Sequence, residues 1–162
     1  MAKLLSVANW PEDGNAHPDY PVEFQLSLVS EDEEGKPADP TAKWAGCCTT
    51  LYIQRTPTAE KEILLKRTAQ IPRRDLRRLV TDLQALLQQT SRENLTFVPL
   101  TPGFEMWLNK LSDDQYRVII WQDLADDFGG ASDIAYQGLR FLTNRARLMG
   151  FMRSLEADLK GE

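Results

Sequence analysis

The stretch Ile71 to Thr90, IPRRDLRRLVTDLQALLQQT, constrains the fold more than any other part of the chain. Leu76, Leu79, Val80, Leu83, Leu86 and Leu87 recur at three- and four-residue steps, the spacing of a single helical face. Pro72 suits the first helical position, where its missing N–H would have had no partner, and neither Gly nor Pro interrupts the run before Ser91. A helix over 72–89 is predicted, and its apolar face needs a sheet to cover. Leu148, Phe151, Met152, Leu155 and Leu159 repeat the positions of Leu76, Leu79, Val80, Leu83 and Leu87 72 residues later, which predicts a second helix over 144–160. Amphipathic helices share this spacing generally, so a duplication is suggested, and the firmer inference is that both helices lie against one sheet.

The remaining segments alternate as strands do. Phe24, Leu26 and Leu28 alternate with Glu23, Gln25 and Ser27, and the first strand is placed there. CCTTLYIQR, within Ala45 to Arg55, is rich in β-branched and aromatic residues, and Ile63, Leu65 and Ala69 begin a third extended piece that should form a hairpin with it. Beyond the first helix, residues 95–100 read as a strand with Pro99 at an edge or bulge. Phe104, Met106 and Leu108 alternate up to the turn formers Ser112 to Gln115, and Tyr116, Val118 and Ile120 resume directly afterwards, the pattern of a second hairpin. Ile134 to Leu142 is extended. The fold class is therefore α+β, a largely antiparallel sheet of about six to eight strands with the two helices packed on one face.

A length of 162 residues fits one domain, 1–162, with the turn-rich segment WPEDGNAHPDYP making 1–21 an arm or long loop. The apolar run Leu4 to Ala8 is too short for a signal-peptide core, and no segment approaches the ~20 apolar residues of a membrane span, so a cytoplasmic location is expected. The net charge of −5 argues against a general nucleic-acid binder, whose footprint is basic. That average conceals alternating blocks: residues 1–45 carry nine acids against three bases, 46–110 six against ten, 111–136 six against one, and 137–162 three against five.

No constellation of catalytic residues is complete. His17 stands alone in the N-terminal loop, where a solvated side chain is the ordinary outcome. Cys47 and Cys48 are adjacent, cannot readily pair, and point to opposite faces of a strand, so they read as small thiols with no third ligand. Asp123, Asp126, Asp127 and Asp133 offer hard oxygen ligands, but their spacing around Gly129 and Gly130 is wrong for an EF-hand and there is no Gly-rich phosphate loop. The acidic run Glu31 to Glu34 reads as a solvated loop. No metal or cofactor is expected.

Two features do call for partners. Arg73, Arg74, Arg77 and Arg78 crowd the first two turns of a helix, where the macrodipole is already positive, so an anion should lie nearby. Acids of this chain, such as Glu31 to Glu34 or Asp113 and Asp114, could supply it, as could an external phosphate or acidic partner, with nucleic acid the weaker candidate. The second feature is the strand face opposite Phe104, Met106, Leu108, Tyr116, Val118 and Ile120. It holds Trp107, Ile119 and Trp121 among Glu105, Asn109 and Arg117, more apolar surface than a face meant for water. The N-terminal arm with Trp10, a second copy of the chain or a different protein could cover it. Asp113, Asp114, Asp126 and Asp127 are expected to border it and attract a basic partner.

GFEMWLNKLSDDQYRVIIWQDL from Gly103, followed by the terminal RLMGFMRSLEADL helix, resembles the small bacterial WapI-type immunity proteins in its order of elements over roughly residues 22–160. The resemblance implies an intracellular protein without catalytic activity that binds and neutralises a toxin domain, and it brings no active-site residues with it. The expectation is thus a non-enzymatic interaction domain. The alternative is a small enzyme or regulatory domain holding a phosphorylated ligand on the Arg73 to Arg78 cluster.

Overall fold

The computed structural model describes residues 1–7, 21–29, 43–55, 58–89, 91–101, 103–123 and 136–161, with the side chains of Asp123 and Tyr136 outside the description. The chain runs β1 (Ala2–Leu5), β2 (Val22–Leu28), β3 (Trp44–Ile53), β4 (Glu62–Pro72), α1 (Arg73–Gln88), β5 (Asn94–Phe97), β6 (Phe104–Lys110), β7 (Gln115–Asp123), β8 (Tyr136–Asn144) and α2 (Arg145–Lys160). All eight strands pair antiparallel with their sequence neighbours within each half, so the α+β class holds. The strands divide into two four-stranded sheets, β1 to β4 and β5 to β8, rather than one continuous sheet. Each sheet is followed by a 16-residue helix. The chain is the same four-strand and helix plan executed twice.

The ladders give the correspondence residue by residue. Ile71 opposite Ala45 takes the place that Thr143 takes opposite Tyr116, and Phe24 opposite Leu51 takes that of Phe104 opposite Gln122. Phe24 and Phe104 meet in the core with ring centroids 5.4 Å apart, and Phe24 lies 6.0 Å from Phe151 of α2. Gln122 and Thr49, both buried, bridge the sheets through a 2.7 Å hydrogen bond from Nε2 to Oγ1. Phe104, Met106, Leu108, Tyr116, Val118 and Ile120 are all buried, as their alternation predicts.

The helices differ in how they are stopped. Pro72 precedes α1 without a side-chain cap, and the Arg73 N–H instead donates to the Lys43 carbonyl at 2.9 Å. Asn144 caps α2 by accepting from the Arg147 N–H at 3.0 Å, and Gly161 ends it with φ 77°, a left-handed conformation that suits glycine. α1 packs on α2 and touches β4 and β5, while α2 lies along β1 and reaches β2 and β8.

The first strand was expected at Phe24, yet Ala2–Leu5 already forms an edge strand, with Ala2 and Leu4 buried under α2. Four residues are too few for periodicity to register. β1 also ties the halves together: the Val7 N–H donates to the Leu142 carbonyl at 2.8 Å, and the Thr143 hydroxyl to the Leu5 carbonyl at 2.7 Å. Arg147 donates to the Ser6 carbonyl, and the N-terminal ammonium pairs with Asp158 at 2.6 Å. The predicted β3–β4 hairpin forms, with a bulge that leaves Leu64 unpaired between Leu65 and Ile63. In the β6–β7 turn the Ser112 hydroxyl accepts from the Gln115 N–H at 3.1 Å.

Candidate interaction face

Pleating sends alternate residues of β5 to β8 away from the core, and the ladder aligns them in rows. One row is Thr96, Trp107, Ile119 and Arg140; the next toward the β6–β7 turn is Asn94, Asn109, Arg117 and Leu142; on the other side lie Glu105, Trp121 and Gly138. Trp107 is 41% exposed, and Ile119 and Trp121 are half-buried. The two indoles meet edge to face with centroids 6.1 Å apart and planes at 64°. The Trp107 Nε1–H donates to Glu105 Oε2 at 3.2 Å, which fixes that ring's edge. Trp121 lies flat on the backbone of β8, because a Cβ at Gly138 would stand 2.3 Å from its ring carbon Cε3. Gly138 is a seat for Trp121, and only a residue without a side chain provides it.

The first sheet shows what the same positions hold when nothing asks for tryptophan. The row matching Trp107, Ile119 and Arg140 is Ser27, Cys48 and Thr68, and that matching Glu105, Trp121 and Gly138 is Gln25, Thr50 and Lys66. The first sheet is built with Ser, Cys, Thr, Gln and Lys at these positions. The tryptophans are therefore not demanded by the sheet.

Arg117 and Arg140, both exposed, flank the aromatic stripe, and neither has an ion-pair partner among the described residues. Arg117 was visible from the alternation of β7. Arg140 and Gly138 were missed because residues 134–142 lack a clean period of two.

At the expected acidic border, Asp113 departs from expectation. Asp113 forms a 2.8 Å ion pair with Lys110, and Lys110 belongs to the core-side set of β6, so this carboxylate turns away from the tryptophan face. A hydrogen bond from Lys110, and then its charge, hold the Asp113 carboxyl below its ordinary value, and Asp113 in turn raises the Lys110 ammonium. Asp114 is exposed, and its carbonyl accepts from the Arg145 N–H at 3.0 Å. Asp126 and Asp127 lie outside the described residues, as do His17, Trp10, Glu31 to Glu34 and Asp133.

The arginines of α1 do not converge. Arg73 is buried, whereas Arg74, Arg77 and Arg78 are exposed. The anion near them is Asp75 of the same turn, buried, accepting the Leu100 N–H at 2.9 Å and standing 3.8 Å from Arg74 Nε and 4.0 Å from Arg78 Nη2. Arg78 also donates to the Val98 carbonyl at 3.0 Å. An acid in the first helical turn answers the positive end of the helix dipole from within the chain. Arg77 faces a cleft of about 500 Å³ between the helices, lined also by Val80, Thr81, Gln84, Glu156, Leu159 and Lys160. Lys160 is paired with Glu156 there at 3.0 Å.

Cys47 is buried and Cys48 half-buried, on opposite faces of β3 as expected. Burial pushes the Cys47 thiol up to about 12, so it stays protonated and unreactive. On the outer face of the first sheet Glu23 is buried; burial pushes its carboxyl up, but hydrogen bonds from Lys61 and Gln25 and the charges of Lys61 and Lys3 outweigh this and hold it below 4.5. No helix among the described residues is long and apolar enough to cross a membrane.

No family model matches the chain, and no curated protein does. Two solved structures are similar over nearly its whole length. A guide-RNA-binding protein complex bound to a gRNA aligns with a TM-score of 0.48 and 11% identity over 99% of this chain and 91% of that one. The plant transcriptional regulator PBF-2 aligns with a TM-score of 0.41 and 7% identity over 98% and 83%.

Proposed function

We propose that this protein is a non-enzymatic interaction domain that acts in the cytoplasm and holds a protein partner on the outer face of β5 to β8. One observation carries the proposal: within a duplicated plan, the second sheet has Trp107, Ile119, Trp121 and Arg140 where the first has Ser27, Cys48, Thr50 and Thr68. Side chains that the scaffold does not need, of the types enriched at binding hot spots, mark a surface kept for contact. The alternative of an anionic ligand on the α1 arginines draws less support, since Arg73 is buried and Asp75 already answers Arg74 and Arg78.

The narrower form of the proposal is an immunity protein that neutralises a toxin, as the resemblance to WapI-type proteins implies. The test is affinity capture from the native host with the full chain and with Trp107→Ser, which installs the residue found at the matching position of the first sheet. A stoichiometric protein recovered by the former and lost by the latter is the expected outcome. Equal recovery by both would remove the face from the proposal, and a partner gene without toxin activity beside this one would remove the immunity reading alone.

A further inference from the structure

Resting on that reading of the outer face, we infer that the segment docking there is an extended acidic stretch of the partner protein, not a basic one. The cations are placed for it. Arg140 sits opposite Ile119 on the neighbouring strand, and Ile119 is two residues along β7 from Arg117. Two steps along a strand are about 7 Å and adjacent strands about 5 Å apart, so the two guanidinium stems rise from points roughly 8 Å from each other. Alternate side chains of an extended peptide repeat at about 7 Å, so acids at two alternate positions meet both arginines. Apolar side chains at further alternate positions, on the same face of that segment as its acids, then rest on Ile119 and Trp107, which share the row of Arg140.

Two described acids near the face have partners of their own. Glu105 is engaged by the Trp107 indole N–H, and Asp113 is held by Lys110 toward the core-side end of β6. Planar, weakly hydrated guanidinium groups flanking tryptophan suit carboxylates. Other occupants fit less well. A second copy of the chain would set this face against an identical one, with two arginines and one described glutamate on each side, so that like charges predominate across the interface. A nucleic-acid strand needs cations along its path to displace counterions, whereas the described side chains of this face offer two arginines and one glutamate on a chain of net charge −5.

The experiment uses the full chain and three fluorescein-labelled probes read by anisotropy. Two are peptides of about 16 residues, one repeating two Glu and then two Leu at alternate positions with Ser between them and the other with Lys at every Glu position, and the third is an oligo-dT of about 20 nucleotides. The acidic peptide is expected to bind. The double substitution Arg117→Gln, Arg140→Gln should weaken it about tenfold, equivalent to ~1.4 kcal/mol and within what two exposed ion pairs supply. Trp107→Ser should weaken it about fivefold or more. Melting temperatures of all variants should match the parent, which separates lost binding from lost folding. Tighter binding of the basic peptide, tighter binding of oligo-dT, absence of binding by all three probes, or self-association abolished by Trp107→Ser would each overturn the inference. A captured partner that depends on Trp107 but not on Arg117 and Arg140 would overturn it too, while leaving the interaction face itself standing.

Discussion

Trp107 and its match Ser27 hold the same place in the two sheets, which makes Trp107→Ser a substitution toward a residue this fold already accepts. Its expected cost to folding is within about 0.5 kcal/mol, as for surface positions generally, while partner affinity should fall by more than ~1 kcal/mol. Chemical denaturation and titration of the captured partner check the two halves of that statement. Gly138→Ala should do the reverse in part. A Cβ 2.3 Å from the Trp121 ring forces the indole off its seat, with an overpacking cost of about 1–3 kcal/mol and a shifted tryptophan emission. Unchanged stability and emission would mean that Trp121 does not depend on that glycine. Glu23 gives a pH prediction. Its folded carboxyl lies below the ordinary 4.5, so the unfolded chain binds the proton more readily; the stabilisation is full above 4.5 and lost as pH falls through the depressed folded value. Glu23→Gln should flatten the acid limb of melting temperature against pH, and an identical limb would show that the Lys61 and Lys3 pairs contribute nothing to it.

At the scale of elements, both helices, the β3–β4 and β6–β7 hairpins and the buried set on β6 and β7 were legible, because each rests on a period that side chains impose locally. β1 was not, since four residues carry no period and its place under α2 is a tertiary fact. The division into two sheets was not legible either: strand patterns fix which face is buried, not which strands share a ladder. At α1 the arginines announced a need for an anion, but Asp75 was overlooked as its source because the Leu100 N–H that it accepts comes from a segment 25 residues on, a tertiary contact that no local pattern carries. The consequence is testable. Arg74→Gln, Arg77→Gln and Arg78→Gln together should shift stability by no more than about 0–1 kcal/mol per site, whereas Asp75→Ala should cost about 1–3 kcal/mol by leaving the Leu100 N–H without its acceptor. A larger loss from the arginine triple than from Asp75 would reverse these roles.

Over the whole molecule, the duplicated plan is what gives the candidate face its meaning. The sequence exposed Trp107, Ile119 and Trp121 as an anomaly on one sheet, but only the matched ladders supply the internal control in Ser27, Cys48 and Thr50. The partner we infer is acidic where the sequence suggested a basic one, since Arg117 and Arg140 share the face and Asp113 pairs with Lys110 away from it. Hydrogen exchange on the complex with the captured partner tests this most directly. The account predicts slowed exchange in β6 to β8 across Glu105 to Asn109, Arg117 to Trp121 and Gly138 to Leu142, with α1 and α2 unchanged. Protection confined to the helices and their cleft, with β6 to β8 exchanging as in the free protein, would contradict it.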